Sequence, residues 1–343
     1  MLGRSMFVTV FFITSLFGME NPKGSFEFSI MTYNVCNFYG MANSLEASHI
    51  TWEKRKERIF TLILDEKPDL IGFQELRDDN GKSTIKDLWN GLGGDGYEII
   101  HYKYDSSPSS YMNAIAYNSK KFMLRETYNW WLSSSPYVCS RIIEKERPRR
   151  VLMLSLYPIK NECEIDYHCP IHIANVHNSV NHEIKMEINR ILVEEIDFRT
   201  SLNSGIVILT GDFNTLINDS QKTANELAVL NKAGYKELLK TLVTKNGIPV
   251  SGTFSGYSCD RYKIKKDTLG GQLDHIFLKT ISPDISYTSK SHVNVKRYNG
   301  NDNGNARTEA ELLAGLDGKG DRDEFPSDHI PGIVALKVLF NKK

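Results

Sequence analysis

The sequence predicts an α/β protein in which mixed β-sheets are covered by helices. Three observations carry that prediction. Short apolar runs bounded by polar residues recur along the chain and outnumber the segments with helical spacing. The two kinds of segment do not alternate strictly, which argues against a doubly wound parallel sheet. Acidic, amide and imidazole side chains stand where several apolar runs end, the place from which loops on a rigid scaffold aim groups at a ligand.

The elements follow in order. Phe26, Phe28, Ile30 and Thr32 alternate with polar or small residues up to Asn34, as a first strand should. Trp52, Ile59, Leu62 and Ile63 fall at helical spacing in a charged segment that stops before Pro68. Residues 70–73 read as a short buried strand ending at Gln74-Glu75, and further strands are expected over 97–102, 114–117, 151–156 and 171–176. Ile184, Ile188, Ile191 and Leu192 mark one face of a helix over 182–198, with Lys185, Glu187 and Glu194 assigned to its outer face. The run at 206–209 is a buried strand. A helix over 221–233 and short strands around Thr253 and over 272–278 lead to the last apolar run at 330–338. Residues 298–325, rich in Gly, Asn and Asp, read as a long surface loop with one helical turn at 309–314.

Composition bounds the rest. The 343 residues are 41% hydrophobic, which allows one large domain or two small ones and excludes a disordered or collagen-like chain. Lys+Arg and Asp+Glu balance at 42 each, so there is no strong overall field toward nucleic acid or an anionic membrane. A polyanion would have to be held locally, by a metal or by a basic cluster such as Arg147, Arg149 and Arg150. Arg4 precedes an almost wholly apolar run over 6–17 that Gly18 ends, the shape of a signal peptide over residues 1–18. The run is shorter than the ~18 residues of a spanning helix, so the expectation is a secreted or periplasmic protein with no stable membrane insertion after processing. A monomer is favoured. Cys36, Cys139, Cys163, Cys169 and Cys259 fit export, with Cys163 and Cys169 the expected bridge across a short polar loop. No CxxC pair suggests zinc.

Eight residues at predicted strand ends form the candidate site: Asn34, Glu75, His177, Asp212, Asn214, Asp274, Asp328 and His329. Each alone has a plain explanation as a turn former, a cap or a half-buried histidine. Together they make an inventory. Glu75 and Asn34 offer one carboxylate and one amide oxygen, the thin all-oxygen set that Mg²⁺ tolerates. Two histidines with acidic neighbours supply acid–base groups. That combination suits phosphoryl transfer to water.

The segments Thr32-Tyr33-Asn34, Gln74-Glu75, Asn175-Val176-His177, Gly211-Asp212-Phe213-Asn214, Leu273-Asp274-His275-Ile276 and Ser327-Asp328-His329 stand in the order of the motifs of the endonuclease/exonuclease/phosphatase superfamily. The chain resembles that superfamily over nearly all of its length after the N-terminal segment. Asn129-Trp130-Trp131-Leu132-Ser133, Gly252-Thr253-Phe254 and Phe325-Pro326-Ser327-Asp328-His329 look most like a secreted bacterial branch, itself similar to nocturnin-type deadenylases. The resemblance implies one catalytic domain over 25–340 with a four-layer α/β sandwich, two packed mixed β-sheets with outer helices, and a site at one end of the sheets. It implies that Asn34 and Glu75 hold a divalent metal, Mg²⁺ with Mn²⁺ as the alternative, and that Asp328 lies beside it. Asp212 would orient or deprotonate the attacking water and Asn214 would contact phosphoryl oxygens. Asp274 would orient His329, and His177 would be the second active-site histidine. Arg149 or Arg150 falls where relatives place a phosphate-facing arginine, and Arg149 is taken as the substrate-binding residue.

Departures bear on substrate. Asn178-Ser179 follows His177 where many relatives carry an acidic residue, and Ser110-Tyr111 replaces a Gly-Glu pair. Thr210 and Gln272-Leu273-Asp274-His275 stand where inositol phosphatases carry tryptophan-containing motifs, which disfavours that branch. The preferred reading is a secreted Mg²⁺-dependent phosphodiesterase acting on nucleic acid or nucleotides. One alternative is a sphingomyelinase-type phospholipid phosphodiesterase with Trp130-Trp131 as an exposed membrane contact, although a half-core, half-surface pair is favoured. The other is a catalytically silent binding protein, disfavoured because every catalytic position keeps its residue type.

Overall fold

The structure is a computed structural model that describes residues 24–36, 52–79, 82–106, 110–161, 164–165, 169–201, 204–215, 222–239, 242–243, 252–253, 271–294 and 327–340. In chain order its elements are β1 (Gly24–Asn34), α1 (Trp52–Glu66), β2 (Leu70–Asp79), β3 (Lys82–Ser83), α2 (Thr84–Leu92), β4 (Tyr97–Lys103), β5 (Tyr111–Asn118) and β6 (Phe122–Trp131). Then follow β7 (Arg150–Asn161), β8 (Glu164–Ile165), β9 (Ile171–His177), α3 (His182–Thr200), β10 (Ile206–Asp212), α4 (Lys222–Lys232), β11 (Lys236–Glu237), β12 (Asp274–Thr280), β13 (Ile285–Val293) and β14 (Gly332–Phe340). The expected signal peptide, the loop at 298–325, Cys163 and Cys259 lie outside the described residues.

The strands form two mixed sheets. One runs β13-β14-β1-β2-β5-β4 with β3 on β2; the other runs β11-β12-β10-β9-β7-β6 with β8 on β7. Side-chain alternation explains why they stack. Ile30, Leu70, Leu152, Leu154, Ile206 and Ile208 point into the core between the sheets. Their neighbours Met31 and Ile71 turn outward under α1 and α2. Val151, Met153, Val207 and Leu209 turn outward under α3 and α4. Strands apolar on both faces must be covered on both, which yields helix, sheet, sheet, helix. The four-layer sandwich expected from the resemblance is the architecture observed.

Each sheet contains one parallel pair, β1 with β2 and β9 with β10, each joined through a helix, and antiparallel pairs elsewhere. Asn34 and Gln74 are paired at the end of the first, His177 and Asp212 at the end of the second, and Asp212 also faces Asp274. The site residues therefore converge at one end of the sandwich. Asn175, fully buried, ties the layers together there: its Nδ2 donates to the carbonyls of Phe73 and Ala114, and its Oδ1 accepts from Gln74 at 2.7 Å. Gly72 permits this approach, because a Cβ there would lie 2.2 Å from Thr210 Oγ1.

Several expectations need correction. Six elements were not expected at all: α2, the strands β6 and β13, and the two-residue strands β3, β8 and β11. Glu75 does not end its strand; β2 continues to Asp79 past a bulge between Phe73 and Leu76. Thr253 lies in no described strand. It acts as a staple, its hydroxyl accepting from Leu273 and Asp274 N–H and its carbonyl from Ile330 N–H. Lys185 is fully buried rather than on the outer face of α3, because a buried carboxylate, Glu226, lies 3.5 Å from its ammonium. The tryptophans, by contrast, form the half-core, half-surface pair favoured over an exposed one: Trp130 is fully buried with Arg199 over its ring, and Trp131 is half-buried, bonded to the Tyr104 carbonyl and covered by Arg150. Among the described residues no helix is long and apolar enough to cross a membrane.

Candidate active site

The turn after β10 is the centre of the site. Gly211 lets it form: a Cβ there would lie 2.1 Å from the Val176 carbonyl of the neighbouring strand. Asp212 is buried, its Oδ1 accepting the Asn214 N–H at 2.8 Å and its Oδ2 accepting Asn34 Nδ2 at 3.0 Å. Asn34 Nδ2 also donates to Glu75 Oε1 at 3.2 Å, so one amide bridges two carboxylates. Glu75 holds a left-handed backbone (φ 60) at the β2 bulge, a costly conformation for a non-glycine that turns its side chain out of the strand alternation.

His329 Nδ1 lies 2.8 Å from Asp274 Oδ2, and His329 Nε2 lies 3.8 Å from Asp212 Oδ2. His177 Nε2 approaches the same Asp212 oxygen at 3.6 Å. Asp212 is thus flanked by both predicted histidines. Burial, reinforced by Asp274 and opposed by His329, pushes Asp212 up to about 7. Burial also works against a charged His329, but Asp274, by charge and hydrogen bond, together with Asp328 and Asp212 holds it well above the ordinary histidine value. His177 goes the other way: burial first, then the charges of Arg149, His329 and Arg147, push it well below. Its Nδ1 is buried with no hydrogen-bond partner among the described residues.

Beside His177 opens a cavity of about 190 Å³ lined by Glu75, Tyr104, Tyr111, Arg147, Arg149 and Val180. Arg149 points into it, paired with Glu146 at 3.2 Å. Arg150 does not: it bonds to Asn129 and the Lys103 carbonyl and lies over Trp131, so it is a packing residue. A larger cavity of about 600 Å³ runs along β1, β13 and β14, and none of the candidate residues lines it.

The sequence-predicted set is therefore brought together, with Asp328 close enough for its charge to act on His329 and its neighbour Ser327 bonded to the Asn34 carbonyl at 2.7 Å. Sequence reasoning missed Tyr104 and Tyr111 in the pocket wall, and the buried Lys185, His275 and Glu226 and half-buried Glu237 behind the turn. Of these, His275 stood inside a motif beside Asp274, and Tyr111 stood only in the Ser110-Tyr111 departure.

Asp212, Asp274 and His329 place ligand atoms within 4.8 Å of one another. His329 is already bonded to Asp274 and charged, whereas a metal-bound imidazole is neutral. A cation fits better beside Glu75, whose Oε1 shares Asn34 Nδ2 with Asp212; Asn34 Oδ1 accepts Cys36 N–H at 3.0 Å, so the amide would have to turn over to offer an oxygen ligand. Asp274 Oδ1, buried without a partner among the described residues, adds to the surplus of negative charge.

The sequence model of the Endonuclease/Exonuclease/phosphatase family matches residues 31–329. An uncharacterized protein, L388, of Acanthamoeba polyphaga mimivirus is 28% identical over 233 residues, 66% of this chain and 79% of its own length. Among solved structures, an endonuclease/exonuclease/phosphatase family protein from Bacteroides thetaiotaomicron superposes with a TM-score of 0.67 at 20% identity, over 92% of this chain and 96% of that one. A mannosyl-6-phosphatase of Bacteroides thetaiotaomicron gives 0.65 at 20% identity, over 90% and 99%. ANGEL2, a 2',3'-cyclic phosphatase in complex with adenosine-2',3'-vanadate, gives 0.60 at 18% identity, over 92% and 96%.

Proposed function

The chain belongs to the endonuclease/exonuclease/phosphatase family, and on that premise we propose that it is a divalent-metal-dependent phosphoesterase, secreted after removal of residues 1–18, that hydrolyses phosphate esters of nucleic acid or nucleotides. One observation carries the chemistry: a buried carboxylate with its pKa near neutrality, Asp212, stands against the Asp274–His329 pair. Two structural neighbours, the mannosyl-6-phosphatase and the 2',3'-cyclic phosphatase, fit a phosphate ester as substrate.

Asp212, ionised above about pH 7, accepts the proton of the attacking water as its oxygen bonds to phosphorus and the ester oxygen leaves. His329, held as imidazolium by Asp274, stabilises charge on the phosphoryl oxygens. His177, kept neutral, takes part as a neutral polar group rather than as an acid. Asn214 offers an amide N–H beyond the one its Nδ2 gives to the Asn178 carbonyl at 3.1 Å. Arg149 at the pocket wall neutralises the bound ester. Glu75, Asn34 and Asp328 are the residues that would hold the cation, Mg²⁺ or Mn²⁺, which supplies Lewis-acid polarisation when bound.

The test is a panel of single- and double-stranded DNA, RNA, nucleotides, sphingomyelin and a phosphoinositide, each assayed with Mg²⁺ and with chelator. Metal-dependent turnover of nucleic acid or nucleotides is expected. Turnover of sphingomyelin alone would transfer the assignment to the phospholipid class, and turnover of none would leave the silent binding protein.

A further inference from the structure

Four charged side chains lie behind the Asp212–Asn214 turn, Lys185, Glu226 and His275 buried and Glu237 half-buried, and none of them lines the arginine pocket. They form two ion pairs on consecutive carbonyls. Lys185 Nζ donates to the Asn214 carbonyl and lies 3.5 Å from Glu226 Oε2. His275 faces the Thr215 carbonyl with Nε2 at 3.0 Å and Glu237 Oε2 with Nδ1 at 2.8 Å. Since both of its ring nitrogens meet oxygen acceptors, His275 is the doubly protonated imidazolium. Each carboxylate is anchored elsewhere: Glu226 accepts the Thr215 hydroxyl at 2.6 Å, and Glu237 Oε1 accepts Leu239 N–H at 2.9 Å.

No step of the reaction above uses these four groups. Buried ion pairs are also a poor route to stability, since apolar or neutral replacements are often as stable. What the two cations hold explains them better. Asn214 has a left-handed backbone (φ 51), which asparagine adopts more readily than other non-glycine residues but which contacts must still select over the extended and right-handed alternatives. In that conformation its N–H reaches Asp212 Oδ1 and its carboxamide reaches the Asn178 carbonyl. A peptide free to rotate after Asn214 would loosen both contacts.

We propose that Lys185 and His275 are positioning residues: through their ion pairs with Glu226 and Glu237 they clamp the carbonyls of Asn214 and Thr215, and so fix Asp212 and the Asn214 carboxamide against the reacting phosphate. The proposal deepens the phosphoesterase reading and rests on it.

The test compares the wild-type chain with Lys185→Met/Glu226→Gln, in which the Gln oxygen still serves the Thr215 hydroxyl. Hydrolysis of bis(4-nitrophenyl) phosphate with Mg²⁺ is followed alongside the unfolding midpoint. The expected result is a kcat lower by about 10- to 10²-fold with KM nearly unchanged and a midpoint close to wild type. An unchanged kcat, or a loss that merely follows the midpoint, overturns the proposal. Should that variant not fold, His275→Phe/Glu237→Gln carries the same expectations from the other pair. The variant's crystal structure decides the point without any substrate: Asn214 should leave the left-handed region, and a turn superposable on the wild type would refute the clamp. A wild type inactive on the whole ester panel removes the phosphoesterase reading, while that crystal structure still judges the clamp.

Discussion

Removing Asp274, His329 or both probes the pair that governs the acid–base chemistry. His329 Nδ1 and Asp274 Oδ2 are 2.8 Å apart, with side chains 5% and 1% exposed, so solvent screens little of the interaction. A hydrogen bond to a charged partner contributes roughly 1.5–3 kcal/mol, and about 1.4 kcal/mol is tenfold in rate. Asp274→Asn is therefore expected to lower kcat by roughly 10- to 10²-fold. His329→Ala, which removes the imidazolium itself, should cost about 10²-fold or more. Groups that act as a unit are non-additive, so the double variant should lose little more than His329→Ala alone. The pH profile supplies the sign. Asp274 raises the pKa of His329, so activity that needs the imidazolium is lost as pH rises through that pKa, and Asp274→Asn should move the alkaline limb down toward neutrality. The assay is steady-state kcat against pH with Mg²⁺, paired with denaturant unfolding of each variant. Strictly multiplicative losses, losses that track stability, or an alkaline limb that stays in place would refute the pairing.

Away from the site, burial lowers the pKa of His172 to about 4. The unfolded chain, with its histidine near 6.5, then binds more protons at this site between those values, so the contribution of His172 to stability is complete above pH 6.5 and falls by about 3 kcal/mol on acidification to about pH 4. His172→Gln should flatten that slope in urea titrations; an identical slope contradicts the assignment. Arg149→Ala should raise KM or reduce kcat/KM by roughly tenfold with little change in stability, whereas Arg150→Ala should lower the unfolding midpoint by uncovering Trp131. Kinetics and melts on the two variants separate them, and the reverse pattern would exchange their roles. Intact mass of protein recovered from its own host should place the mature N-terminus just after Phe17 or Gly18, and a soluble form retaining residues 6–17 would contradict export.

The strands read most plainly from the sequence were those with a two-faced apolar run. Ile206-Val207-Ile208-Leu209 is buried on both sides of its sheet, and its hydrophobicity announced it. The strand β6 carries Arg125, Glu126 and Thr127 on an edge half open to solvent, and β13 is an edge strand of Ser, Thr and Lys, so neither had a run to find. The helix α2 did leave a trace, with Ser83 as its N-cap and Ile85, Leu88 and Leu92 on one face, but it is only nine residues long. The acidic and imidazole groups were legible because strand ends put them in a recognisable order. Lys185 was not. Helical periodicity assigns a lysine to solvent, and only tertiary pairing with Glu226, on another helix, explains a buried one. The roles of Arg149 and Arg150 could not be separated by spacing alone, because which of two adjacent residues faces the pocket is decided by how the chain enters β7.

The most direct test of metal-dependent phosphoester hydrolysis is the Mg²⁺ dependence of turnover for wild type and Glu75→Gln. Glu75 is the carboxylate that the β2 bulge turns toward Asn34 and Asp212, and a site with so few protein oxygens should lose most of its cation affinity without it. The expected result is abolition of wild-type turnover by excess chelator, and a Glu75→Gln enzyme that is nearly inactive in limiting Mg²⁺ yet folded, with partial recovery as Mg²⁺ is raised. Full activity of Glu75→Gln in limiting Mg²⁺, or of the wild type in excess chelator, would contradict the account.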